Sequence, residues 1–195
     1  VALKRQGYPL IPSNVIIDKT VTGLGITHME VHSPRPSIII EPNVPVIIGK
    51  AEGKANRLAV YELCTKPMIR EFLQRKDLKH KKLITTPEGF KKIKEVAEAL
   101  GIDIFKEYFC LFDECEKIIQ DVDYRSRIAQ PINDFFEFEG KAMVSATPLE
   151  MRHPKLKEQN FRKLKIIPLY DYRKDMTLIP TRSFDRTVKE QLRRL

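Results

Sequence analysis

The stretch Tyr108–Lys117, YFCLFDECEK, decides how this chain is read. Tyr108, Phe109, Cys110, Leu111 and Phe112 are a continuous apolar run, and Asp113 and Glu114 end it. A short apolar run closed by charge reads as a strand buried on both faces, as in a parallel sheet. Ligands of such sheets bind at the carboxyl ends of the strands. Two adjacent carboxylates therefore stand where a buried strand surfaces. One could hold Mg²⁺ through its oxygens, and the next could orient a water. That is the acidic half of a nucleotide-hydrolysing site. The plainer reading is a strand that ends in a solvated acidic turn, and this stretch alone leaves both open.

Outward from it, short apolar runs alternate with helical patterns. Asn14–Asp18 reads as a first strand, followed by the glycine-bearing loop Lys19–Thr27 and a short helix from Ile26 to His32. Ser37–Glu41 is a second buried strand, and Asn43 is placed to cap a helix through Lys50. Leu58–Leu63 is a third strand, Pro67–Arg75 a helix, and Lys82–Thr85 a fourth strand. Thr86 caps a helix over Pro87–Leu100 that Gly101 closes. After the acidic strand, Ile118–Phe136 reads as mostly helical with a break near Pro131. Ala142–Ser145 and Lys163–Asp171 read as buried strands, and Asp175–Pro180 as a segment that pairs back. Alternation of this kind implies an α/β fold with a mostly parallel central sheet and right-handed crossovers. The lead-in Val1–Ser13 reads as disordered. Residues 1–168 are expected to form one domain, with 169–195 a linker or the start of a second lobe.

The net charge is +9, with 35 Lys and Arg against 26 Asp and Glu. That balance favours polyanionic partners, with basic clusters at Arg70–Lys82, Arg152–Lys165 and the carboxyl-terminal tail. The plain alternative is a set of solvated faces. A hydrophobic content of 42% fits a soluble globular chain. No apolar run approaches the ~20 residues of a membrane helix, and VALKRQGYPLIPSN lacks the apolar region of a signal peptide. Cys64, Cys110 and Cys115 make no CxxC pair and no zinc pattern, so they read as reduced thiols of a cytoplasmic protein.

Thr20–Thr27, TVTGLGIT, lies between a strand and a helix, as a phosphate-binding loop must. Gly23 and Gly25 allow the backbone N–H groups to wrap a phosphate, and the helix start adds a favourable dipole. Thr27 stands where such loops place a hydroxyl for Mg²⁺, but Ile26 replaces the lysine expected before it. Glycine-bearing turns of this type are also common for structural reasons alone.

In order along the chain, TVTGLGIT, SIIIEPN, LITTPEGF, LFDECEK and MVSATPLE resemble five motifs of the first RecA-like domain of superfamily 2 helicases, the DEAD/DEAH-box group. The family's first motif is usually written APTGSGKT. Its wider variants, including helicase-like proteins of mobile elements, also carry altered first motifs. The resemblance implies a three-layer P-loop NTPase (RecA-like) fold that binds ATP and Mg²⁺. It implies that Thr22, Gly23, Leu24, Gly25 and Thr27 hold the nucleotide, that Thr27 and Asp113 hold Mg²⁺, and that Glu114 orients and deprotonates the attacking water. Ser145, Ala146 and Thr147 would couple that site to strand binding. Pro42, Asn43, Thr85 and Thr86 would touch DNA or RNA, expected to be single-stranded. Lys19, at the end of the first strand, is the candidate substitute for the missing lysine; its plain alternative is an ordinary solvated lysine. Gln6 and Tyr8 stand where an adenine-contacting motif would lie.

The resemblance also implies a second RecA-like lobe, which this stretch of chain does not contain. The function expected is the ATP-binding lobe of a helicase-like ATPase or translocase. The rival is a degenerate domain that binds nucleic acid or a protein without ATP turnover. A metabolic kinase with a P-loop would leave SATP and TTPE unexplained.

Overall fold

The computed structural model describes residues 2–5, 7–21, 23–115, 129–146 and 153–168. Among them, seven strands form one wholly parallel sheet. They are β1 (Val15–Asp18), β2 (Ser37–Ile40), β3 (Arg57–Val60), β4 (Lys82–Thr85), β5 (Phe109–Phe112), β6 (Gly140–Ser145) and β7 (Arg162–Lys165). Their spatial order is β3-β4-β2-β5-β6-β1-β7. The acidic strand β5 is therefore central, and β6 lies between it and β1.

Helices α1 (Ala2–Arg5), α2 (Ile26–Val31), α3 (Val44–Ala51), α4 (Lys66–Gln74), α5 (Pro87–Leu100), α6 (Ile104–Glu107), α7 (Ala129–Phe135) and α8 (Pro154–Glu158) complete the described elements. The strand pleat sorts them into two outer layers. Ile38, Ile40, Cys110, Phe112 and Met143 point to one face, where Phe90, Ile93 and Ala97 of α5, Ile69 and Phe72 of α4 and Phe135 of α7 cover them. Ile39, Leu111, Ala142 and Val144 point to the other face, under Leu3 of α1, Ile26 and Met29 of α2 and Ile47 of α3. Side chains on a strand alternate faces, so a strand apolar at every position must be covered on both. The result is a three-layer α/β architecture of the Rossmann and RecA-like kind.

Helix α5 shows how local chemistry sets an element. The Thr86 side chain accepts from Gly89 N at 3.0 Å, and Gly101 closes the helix at φ +69°. Gly89 fits because it has no side chain: a Cβ there would lie 2.6 Å from both Val60 O and Thr85 Oγ1.

Several expectations need correction. The lead-in is docked rather than disordered over its described residues, with Leu3 and Ile11 buried. Strand β3 ends at Val60, because Tyr61–Thr65 turns back and Lys92 Nζ donates to the carbonyls of Tyr61, Glu62 and Cys64. Strand β7 ends at Lys165 and is a largely exposed edge, since its partner β1 offers only four residues to pair with. The expected residues 169–171 of that strand and the Asp175–Pro180 segment lie outside the described residues. So do 118–128, while helix α7 runs through Pro131 rather than breaking there. Helices α6 and α8 were not expected.

At the amino ends of β2, β4 and β5 sits a buried polar cluster. Lys82 Nζ donates to Ser33 Oγ, Arg35 O and Ser37 Oγ at 2.7, 2.7 and 2.9 Å. Glu30 accepts from Arg35 through both oxygens, at 2.9 and 2.6 Å, and from Ser33 and Ser37. The Arg35 guanidinium lies 3.4 Å above the Phe109 ring. Burial pushes the Lys82 ammonium down to about 8.

Candidate functional site

The opposite end of the sheet gathers the residues singled out in the sequence. Strand β1 ends in Asp18, and the chain turns sharply at Thr20, which has φ +44°. A β-branched residue in the left-handed region is strained. Here Thr20 N donates to Asp18 Oδ1 at 3.0 Å and Thr20 Oγ1 donates to Ile166 O at 2.7 Å, which hold the turn. Gly23 and Gly25 follow at φ +79° and +75°, conformations that glycine adopts without a Cβ penalty. Gly25 is the N-cap of α2 and supplies no side-chain cap, so the first-turn N–H groups receive none from it. Leu24 packs into the core. Thr22 lies outside the described residues.

Lys19 is buried and bridges the gap to the acidic strand. Its Nζ lies 3.1 Å from Asp113 Oδ1. Strands β1 and β5 are two positions apart, about 10 Å, which a lysine stem and a carboxylate span together. The solvated-lysine alternative is thus overturned. Thr27 Oγ1 donates to Asp113 Oδ2, and Lys50 Nζ of α3 stands 3.5 Å from the same oxygen. Burial pushes the Asp113 carboxyl up, but Lys19, Thr27 and Lys50 outweigh it and hold the group below the usual carboxylate range.

Glu114 follows in the left-handed region at φ +49°, with its N–H donating to Asp113 Oδ1 at 3.1 Å. Its Oε2 accepts from Asn43 Nδ2 at 3.2 Å. The same amide donates to Glu41 Oε1 at 3.3 Å, and Glu41 Oε2 accepts from Lys50 at 2.9 Å. Burial raises the Glu41 carboxyl, against the pull of Lys50. Ser145 ends β6 between the loop and the acidic turn, and its carbonyl accepts from Lys19 N at 2.9 Å. Ala146 follows it; Thr147 lies outside the described residues.

Three of the expected groups therefore meet at one edge: the loop, the acidic turn and Ser145. The expected strand-contact residues divide. Pro42 and Asn43 are half-buried beside the site, whereas Thr85 and Thr86 are buried. The Thr85 hydroxyl donates to Thr86 O at 3.0 Å, and the Thr86 hydroxyl caps α5.

Glu41 and Lys50 were missed as site residues. Glu41 carried a readable signal, since it ends the apolar run SIII as Asp113 ends FCLF. Lys50 carried none; a lysine in the last turn of a helix reads as solvated. Ile26, where the resembled motif carries lysine, is 2% exposed and packs from the start of α2 into the core.

Tyr8 packs against the same core, and Gln6 lies outside the described residues. All three cysteines are buried and none is in a disulfide. Among the described residues, no helix is long and apolar enough to cross a membrane, and no group of three or more His, Cys, Asp or Glu side chains is arranged to hold a metal. A hard cation needs less than that: Mg²⁺ is commonly held by one or two protein oxygens plus phosphate and water. The adjoining Thr27 hydroxyl and Asp113 carboxylate are such a donor set. Compared with models of known protein families and with curated proteins, the chain matches none.

Proposed function

We propose that the carboxyl edge of this sheet is a nucleoside-triphosphate site, and that the chain is the ATP-binding lobe of a helicase-like, nucleic-acid-dependent ATPase. The observation that carries the reading is the meeting of Lys19, Thr27 and Asp113 beneath a loop with two left-handed glycines. A strand-end aspartate and a loop threonine supply oxygens for Mg²⁺, and a cation stands between them and the phosphate loop. Phosphoryl transfer needs positioning and charge stabilisation more than covalent chemistry.

In this reading Thr27 and Asp113 would hold Mg²⁺, which would supply charge screening for the phosphate oxygens. Backbone N–H groups of residues 22–25 bind the phosphates. Lys19, which pairs with Asp113, would be within reach of the phosphates and would supply the positive charge there. Glu114 orients a water and accepts its proton. Ser145, Ala146 and Thr147 link the site to a single strand of DNA or RNA lying along the loops after β2 and β4. A second RecA-like lobe would complete the motor.

Calorimetric titration with ATP tests this, with Mg²⁺ and with a chelator, on the parent, Lys19→Ala and Asp113→Asn. Binding by the parent that needs Mg²⁺ and is weakened in both variants is expected. No binding at millimolar ATP would sink the reading. Two observations favour the rival, a domain that binds nucleic acid or protein without turnover. The family's lysine position is buried core, and Asp113 is already balanced by two ammonium groups.

A further inference from the structure

Strands β2 and β5 are paired in register, Ile40 opposite Phe112, and Asp113 N donates to Ile40 O at 2.9 Å. The two segments that follow, Glu41–Asn43 and Asp113–Glu114, thus leave the sheet side by side. Asn43 is the N-cap of α3, yet its side chain makes no capping hydrogen bond. Asparagine at that position ordinarily accepts from a first-turn N–H. Here its amide is turned to the carboxylates instead, donating at 3.3 Å to Glu41 and 3.2 Å to Glu114. Lys50 fixes the far side of Glu41, so the amide is held at an anchored point. Hydrogen bonds to carboxylates are the stronger kind, and this one sets where the Glu114 carboxylate points.

We infer that Asn43 is a positioning residue that couples occupancy of the loop after β2 by single-stranded nucleic acid to the Glu114 carboxylate. Without a strand, Asn43 ties Glu114 to Glu41. A strand on the Pro42–Asn43 loop takes the amide for its own acceptor oxygens and releases Glu114 toward the water. The coupling is short because the strand-contact loop and the catalytic turn are adjacent strand ends. No relay through the core is needed. The inference rests on the nucleotide-site reading.

Its test has two arms. In the first, the side-chain amide signals of Asn43, identified by their loss in Asn43→Ala, are followed by NMR in the parent. Adding oligo-dT or oligo-U should shift them in the direction that Glu114→Ala shifts them. An oligonucleotide that binds by fluorescence anisotropy and leaves those signals unmoved overturns the inference, and so does the absence of binding at low salt. In the second arm, Asn43→Ala should raise ATP hydrolysis without oligonucleotide and bring the ratio of stimulated to unstimulated rate to one. A purely structural role would lower both rates and keep the ratio, which also overturns the inference. If the parent binds no ATP, the nucleotide-site reading fails on its own, and the amide signals still decide whether a strand breaks the Asn43–Glu114 contact.

Discussion

Lys19 and Asp113, 94 positions apart in the chain, form a buried ion pair of 3.1 Å across the end of β6. The pair ties the glycine-bearing loop and the acidic turn into one electrostatic unit. An aspartate so enclosed would otherwise be costly to ionise.

Lys19→Ala should lower the unfolding free energy at pH 7 by about 1–3 kcal/mol. The loss stays below the roughly 3–5 kcal/mol of a buried charge left alone, because Thr27 and Lys50 remain. The folded Asp113 value is depressed, so its stabilisation is present above the unfolded value of about 3.9 and is lost as the pH falls through the folded value. Urea denaturation of parent and variant should therefore show a gap at pH 7 that closes in stronger acid. A gap independent of pH would mean that packing, and not charge, is what Lys19 contributes.

Glu41→Gln should do the reverse. Burial raises the folded Glu41 value above its unfolded one, so the folded protein takes up the proton more readily and loses stability as the pH rises through that window. The amide variant should be more stable than the parent at pH 7, and the gain should vanish below about pH 4.3, where the carboxyl is protonated in both states. A less stable variant at pH 7 would show that the Lys50 bridge outweighs the burial of charge.

Ile26→Lys would place a lysine where the motif that TVTGLGIT resembles carries one, and on that resemblance it is expected to strengthen nucleotide binding. The structure adds a cost in stability. Ile26 is buried core, and Lys19 already pairs with Asp113. The substitution should cost about 2–4 kcal/mol of stability from lost apolar burial and an unpaired charge. Thermal unfolding of the variant measures it, and an unchanged melting temperature would show that the new lysine escapes to the loop.

Gly89→Ala should cost about 1–3 kcal/mol, since one methyl group has to displace the backbone at Val60 or the Thr85 side chain. Chemical denaturation should show a lower midpoint with an unchanged slope. A neutral result would mean that α5 can shift outward from β3 and β4.

The middle of the sheet was legible because β1, β2 and β5 are apolar at nearly every position and run into a carboxylate. Helix α5 was legible to the residue, since Thr86, Pro87 and Gly101 each carry a local mechanism. Asp113, Thr27 and the glycines could be found because spacing along the chain constrains them. Lys50 could not, because its role arises from where α3 folds back against β3 and β4. The ends of β3 and β7 were misjudged for a related reason. Apolar content says how far a strand could run, whereas Lys92 on one side and the shortness of β1 on the other decide where it stops.

The Lys82–Glu30 cluster works on a different problem, which is the choice among strand registers. Four-residue parallel strands rich in isoleucine offer little to tell one alignment from the next. Ser37 pairs with Lys82 across β2 and β4, and with Phe109 across β2 and β5. A slip of one residue between β2 and β4 would turn Lys82 from the α2 side of the sheet to the α5 side, among Leu83's apolar neighbours. Glu30 would keep Arg35 but lose the second cation, and an ammonium would be stranded in hydrocarbon. An isoleucine ladder tolerates misalignment; a lysine with three fixed acceptors does not. The cluster therefore acts as a key that admits one alignment. On the other side of β2, Arg35 stacked over the Phe109 ring holds β5 in register, which brings the far ends of β2 and β5 level and sets Asn43 beside Glu114.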